Sequence, residues 1–142
     1  MKSVLLLLLL ALLSTASPAA EDDVPEIVAK GFGEYQKHGA LAAFNSWLSG
    51  SAIESDDNIQ DQITARMSRV QAAFGRMIGY ELIRTVTLSP STRRVYAVAK
   101  FEKGAAWMSF DCYRPGRDWI IPRLDFNTNA NLILPPNLLG GQ

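Results

Sequence analysis

The hydrophobic residues of this chain change their spacing once, near Gly75, and that change constrains the fold more than any other feature of the sequence. Before it, apolar side chains recur every three or four residues, as they must to line one face of a helix; after it they alternate, as they must to line one face of a strand. Val24, Ile27, Val28, Phe32 and Tyr35 place a first helix from Val24 to His38. Asp23 can cap it, Pro25 sits in the first turn where its missing N–H costs nothing, and Gly39 is a natural stop. Gly31 and Gly33 each weaken the helix interior by about 1 kcal/mol against alanine, which makes sense if another segment crosses closely there. A second helix, Ala40 to Leu48, sets Leu41, Phe44, Trp47 and Leu48 on one side. The third is the clearest: Ile59, Ile63, Met67, Val70 and Phe74 follow the cap-rich Ser55-Asp56-Asp57-Asn58, and Gly75 terminates the run. Burying those side chains would offer on the order of 10 kcal/mol, so this helix must pack on something.

Beyond Gly75, the segments Tyr80 to Leu88, Arg94 to Glu102, Ala105 to Arg114 and Trp119 to Phe126 are rich in β-branched and aromatic residues. The separators Ser89-Pro-Ser-Thr, Lys103-Gly104 and Pro115-Gly-Arg are turn-like and short, and short connections join antiparallel neighbours. The expected fold is therefore α+β, with N-terminal helices packed on one face of a curved, four-stranded antiparallel meander. Pro122 has no N–H for a ladder, so it belongs at an edge or a bulge. Asn127 to Asn131 should turn the chain out of the sheet and let Leu132, Ile133 and Leu134 cover an open rim.

The first residues are expected to stand outside this domain. Lys2, the unbroken apolar run Val4 to Leu13 and the small residues Ser14 to Ala20 read as a signal peptide over residues 1–20, cut between Ala16 and Ala20. A run of ten is too short for a spanning helix, which needs about 20 apolar residues, so no stable membrane anchor is expected and the product should be periplasmic or extracellular. The remaining 122 residues suit a single domain, residues 21–136, with 137–142 as a flexible tail. Without Lys2 the chain carries 13 basic and 14 acidic side chains, a net charge of −1 with no block of either sign, which gives it no long-range pull on nucleic acid. Cys112 is the only cysteine, so an exported chain must rely on burial instead of an internal disulfide, and Cys112 itself reads as a small buried hydrophobe on a strand.

Several stretches carry a resemblance: Phe74-Gly75 before Gly79-Tyr80-Glu81-Leu82-Ile83, Phe110-Asp111-Cys112-Tyr113-Arg114 before a glycine turn, Asp118-Trp119-Ile120-Ile121 leading to Phe126-Asn127-Thr128, and the closing Leu132-Ile133-Leu134-Pro135. In these and in its order of elements the chain resembles the nuclear transport factor 2-like superfamily, the cone fold of ketosteroid isomerases and SnoaL-like proteins, and within it the small exported members. The resemblance implies a cone-shaped fold with a pocket and pairing through the outer sheet surface; across so varied a group it implies no single reaction. Ketosteroid isomerases use an aspartate base with a tyrosine and a protonated aspartic acid in an apolar cavity. The groups available for an isomerase, lyase or hydrolase of that kind are Asp111, Asp125, Tyr35 and Tyr96, but none matches those catalytic positions residue by residue.

Strand alternation nominates the sites. Met108, Phe110 and Cys112 share the face that meets the helices, Leu124 and Phe126 join them from the last strand, and Phe32 and Tyr35 close the cavity from the first helix. These residues would line a pocket for a small apolar ligand; they are equally the residues of a filled core. On the opposite face Trp107, Tyr113 and Trp119 form an aromatic patch, expected to be an interface in a homodimer. Alternation turns Asp111 and Asp125 away from the cavity. His38 is the sole histidine, which excludes a histidine-based metal site and suits a helix end. Asp56-Asp57 and Glu21-Asp22-Asp23 lack the spaced carboxylates and glycine of a calcium loop, so neither metal nor cofactor is expected. The reading is an exported, non-catalytic domain that binds a small apolar ligand or serves as a paired scaffold; an aspartate-based enzyme and a protein-interaction module are the alternatives.

Overall fold

A computed structural model describes residues 24–140. The expected signal peptide, the Asp23 cap and the last two residues of the expected tail, Gly141 and Gln142, lie outside the described residues. Three helices, α1 (Glu26–His38), α2 (Ala40–Leu48) and α3 (Asp57–Phe74), precede four strands, β1 (Met77–Ser89), β2 (Thr92–Phe101), β3 (Gly104–Tyr113) and β4 (Ile120–Asn127). The strands form one antiparallel open sheet in the order β1-β2-β3-β4, and the helices pack on one of its faces, which is the α+β architecture the periodicity predicts. Two 3-10 turns, Ala130–Leu132 and Pro136–Leu138, close the chain.

α1 begins at Glu26, two residues later than expected, with Pro25 at the N-cap and no side-chain cap bond. Gly39, at φ +88°, donates its N–H to the Tyr35 carbonyl and at once begins α2, so a single residue in the left-handed region joins the two helices. That joint folds α2 back on α1 closely enough that a β-carbon on Gly31 would lie 2.0 Å from Trp47 Nε1. The Trp47 indole N–H donates to the Val28 carbonyl at 3.0 Å, which fixes the ring across the gap. The expected close crossing is thus real at Gly31. At Gly33 it is absent, since nothing lies within 4 Å of a β-carbon there.

Two helix faces differ from expectation. In α2 the buried side is Ala40, Ala43, Phe44, Trp47 and Leu48, whereas Leu41 is 54% exposed. Small alanines serve where helices must approach closely, and Leu41 is displaced to the solvent side. In α3 the Asp56 carboxylate accepts the Ile59 N–H at 3.0 Å and Gly75 terminates, both as expected. Yet only Met67 is buried; Ile63, Val70 and Phe74 are partly covered and Ile59 is exposed. The helix packs along a narrow seam, so its burial falls well short of the 10 kcal/mol that full coverage would give.

The sheet is regular in its middle and irregular at both margins. β2 and β3 pair without a break from Phe101–Gly104 to Thr92–Tyr113. β1 carries three register shifts against β2, at Met77/Gly79, Leu82/Arg84 and Thr87/Ser89. On β4 the register shifts between the partners of Asp111 and Tyr113, which places Ile121 and Pro122 in a bulge on an edge strand, where a proline is tolerated. The extra residue inverts the alternation, so Ile121 within the bulge and Phe126 after it are both buried. Of the three residues expected to close the rim, Leu134 is buried and Leu132 points to solvent.

Candidate functional site

The residues nominated for a ligand cavity are brought together, and they pack against one another. Phe32, Met108 and Phe110 are fully buried, Tyr35, Cys112 and Phe126 nearly so, and Leu124 packs on them from the margin. The Phe32 ring lies 4.1 Å from Tyr80 in a parallel stack, 5.0 Å from Trp47 and 5.8 Å from Phe110, while Trp47 lies 5.3 Å from Phe110. At these separations aromatic rings are in van der Waals contact, so this cluster is a filled core. Phe126 additionally lies beneath a shallow groove between α3 and β4, with the Arg66 guanidinium 4.6 Å from its ring centre.

Burial governs the two titratable members of this core. Desolvation pushes the Cys112 thiol up to about 12, with the Asp111 charge adding to it, and pushes the Tyr35 phenol up to about 12. The Tyr35 hydroxyl donates to Gln71 Oε1 at 3.1 Å, so it is held as a neutral donor. Both groups are raised above their unfolded values, 9.0 and 10.0, so the stability they carry is complete below about pH 9 and is lost as pH rises toward about 12. Urea midpoints should therefore hold steady from neutral to about pH 9 and fall beyond it, and Cys112→Ala should shallow the first part of that fall. A midpoint unchanged to pH 11, or the same slope in the variant, would show that the thiol is not buried in this way.

The carboxylates offered for catalysis are engaged elsewhere. Asp111, on the sheet face away from the helices, accepts from Arg94 in a two-pronged pair, 2.5 Å to Nε and 3.1 Å to Nη2, and this pair, with a smaller contribution from Tyr96, raises the guanidinium pKa further against the opposing effect of burial. Asp125 accepts its neighbour Phe126's N–H at 2.9 Å and lies 3.9 Å from both Arg66 and Arg123. Neither faces Tyr35, which is in the core, and Tyr96 lies on the outer face beneath its neighbours, only 7% exposed. His38 is in the last turn of α1, 3.9 Å from Glu34, among surface groups. Among the described residues no three His, Cys, Asp or Glu side chains are grouped to hold a metal ion, and no helix is long and apolar enough to cross a membrane.

The outer face follows from the register. Trp107 stands opposite Val98 and Asn127, Ser109 opposite Tyr96 and Asp125, and Asp111 opposite Arg94 and Arg123, so all of these side chains share one surface with Tyr113. A second ion pair, Lys100–Glu81 at 2.6 Å, extends it toward β1. The surface mixes both signs of charge, with Arg84, Arg94, Lys100 and Arg123 against Glu81, Asp111 and Asp125, one more base than acid. Trp119 does not belong to it, and this corrects the expected aromatic patch. Ile120 pairs with Tyr113 and shares its face, so Trp119, one residue earlier, turns to the helix side, packs on the core and is held between the guanidinium groups of Arg93 and Arg114, 4.9 and 5.0 Å from its ring centre.

One site has no counterpart in the sequence reading. A cleft of about 580 Å³ opens where α1, the end of α2 and the β3–β4 connection meet, lined by Lys30 and Glu26, Ser46 and Ser49, and Arg117 to Ile120. Its charges are mixed, with Glu26, Lys30, Arg117 and Asp118 beside Ser46 and Ser49, and no imidazole lines it. The only signal for it in the sequence is the polar turn Pro115-Gly116-Arg117-Asp118 running into Trp119. No protein-family model, no curated protein and no solved structure matches the chain.

Proposed function

We propose that this chain is an exported, non-catalytic protein-interaction domain whose contact surface is the outer face of its sheet. The observation that carries the reading is the filled interior: the apolar side chains that could have lined a ligand cavity are spent on one another, which leaves the sheet exterior as the organised surface. Trp107 is half-buried and Tyr113 exposed on one strand, six residues and about 20 Å apart, with the Arg94–Asp111 pair between them. Aromatic anchors set among charges of both signs, most of them paired, suit a protein surface of mixed charge better than a polyanion. Export is supported by the leader-like residues 1–20. The likeness to the nuclear transport factor 2-like superfamily is kept as part of the reading, supported by three helices ahead of a four-stranded meander.

Cross-linking in the native compartment, paired with native mass spectrometry of the purified chain, tests it. The Trp107→Ala, Tyr113→Ala double variant should lose its cross-linked protein partner by at least about tenfold, while Leu41→Ala, on the opposite side of the molecule, should keep it. A stoichiometric small apolar molecule carried by wild type and both variants would overturn the reading in favour of ligand binding.

A further inference from the structure

The two margins of the sheet are built differently. β4 is eight residues long, interrupted by Pro122 and its bulge, and charged at Arg123 and Asp125. Arg66 reaches over from α3 to donate to the Phe126 carbonyl at 3.0 Å. These are the devices that keep an edge from accepting another strand. β1 has few of them. It runs for 13 residues, Met77–Ser89, without a proline and with one acid, Glu81, and one base, Arg84. Ile78, Leu82 and Leu88 are 56%, 43% and 62% exposed along it. A long edge rich in β-branched and aliphatic side chains is a template for another strand.

The register says which strand. Glu81 stands opposite Val98 and Arg84 opposite Tyr96; Val98 and Tyr96 both lie on the outer face, so the bulge at Leu82/Arg84 brings Glu81 and Arg84 to that same face although they are three residues apart. Gly79 and Val86 share it as well, opposite Lys100 and Arg94, whereas Tyr80 and Thr85 lie on the helix side, opposite Ala99 and Val95. Lay a second β1 antiparallel against the first with a two-fold axis between Leu82 and Ile83. Glu81 then faces the other copy's Arg84, Tyr80 its Thr85, and Gly79 its Val86. Flanking the bulge, like faces meet like faces in each of these pairs, and the one acid meets the one base twice. A strand without the bulge could not satisfy both conditions in one register. Arg84 has no ion-pair partner among the described residues and Glu81 has Lys100, so the contact would extend each existing pair into a three-membered cluster.

We propose that β1 is the pairing edge for a second copy of this chain, joined antiparallel about that axis into one continuous eight-stranded sheet. The homodimer expected from the sequence is thereby assigned to the edge, and the outer faces of both copies stay free. The inference is independent of which protein docks on that face.

Sedimentation of the full chain across a range of concentrations tests it, with circular dichroism to confirm folding; both charged side chains are exposed, so their replacement leaves the core intact. Wild type should form a dimer. Glu81→Arg alone and Arg84→Glu alone each oppose like charges across both contacts and should weaken it by about tenfold or more. An equimolar mixture of these two variants restores opposite charges at both contacts and should recover the wild-type affinity as a heterodimer. Trp107→Ala should leave the dimer unchanged. A chain monomeric at every concentration overturns the proposal. So does a dimer indifferent to the charge swaps but lost in Trp107→Ala, which would place pairing on the sheet face.

Discussion

Gly31→Ala is expected to cost about 3 kcal/mol of folding stability or more, the upper range for forcing one extra methyl into a packed interior. The added carbon would sit 2.0 Å from Trp47 Nε1 and 2.2 Å from its Cδ1, so the indole has to move. Moving it breaks the buried bond to the Val28 carbonyl and disturbs the ring contacts with Phe32, Phe44 and Phe110. The same substitution two residues along should have the opposite sign. Gly33 has open space where its β-carbon would go, so Gly33→Ala should stabilise by about 0.5–1 kcal/mol through helix propensity alone. Guanidinium midpoints of the two variants decide the matter. Replacing Trp47 with leucine in the Gly31→Ala background should recover part of the loss, because the two changes share one space and their effects do not add. Equal effects at Gly31 and Gly33 would mean that α1 and α2 do not meet as described.

Phe110→Ala should cost about 3–5 kcal/mol, the usual loss for an aromatic ring removed from a core. Its functional meaning is larger than the number. The ring is fully buried between Phe32 and Trp47, so its removal leaves an apolar void walled by aromatic side chains. Such voids stay dry and admit benzene-sized guests. Benzene should therefore raise the melting temperature of Phe110→Ala and leave wild type unmoved. Should wild type itself take up the guest at one to one, the core is not filled and the cone is a working pocket.

How far the sequence could carry these conclusions depended on whether a feature was periodic. α2 was legible to the residue, and all four strands within about three residues at each end, because alternation and punctuation agree along them. The Arg94–Asp111 pair was legible in principle: a tight turn at Glu102-Lys103 fixes the β2–β3 register, and counting outward from it sets these two residues opposite each other. The bulges were not legible. Each inserts one residue that hydropathy does not mark, and each reverses the alternation beyond it. That is why alternation alone sets Leu124 and Phe126 on the correct face and Trp119, on the far side of the Pro122 bulge, on the wrong one. Leu41 failed for a different reason: hydrophobicity ranks leucine above alanine, but the closeness of α1 to α2 selects for small side chains. The residues nominated for a cavity do come together, but whether they enclose space or fill it depends on inter-ring distances that no one-dimensional pattern encodes.

The sealed margin at β4 has a consequence for assembly size. A sheet that accepted strands at both borders would have no internal rule for stopping, and copies added head to tail would grow into a filament. Here Pro122, its bulge and the Arg66 hydrogen bond terminate growth on one side, so any association through the other border is self-limiting. Were two chains to join at β1, the limit on their number would be set by Pro122, its bulge and Arg66, far from the place where they would touch.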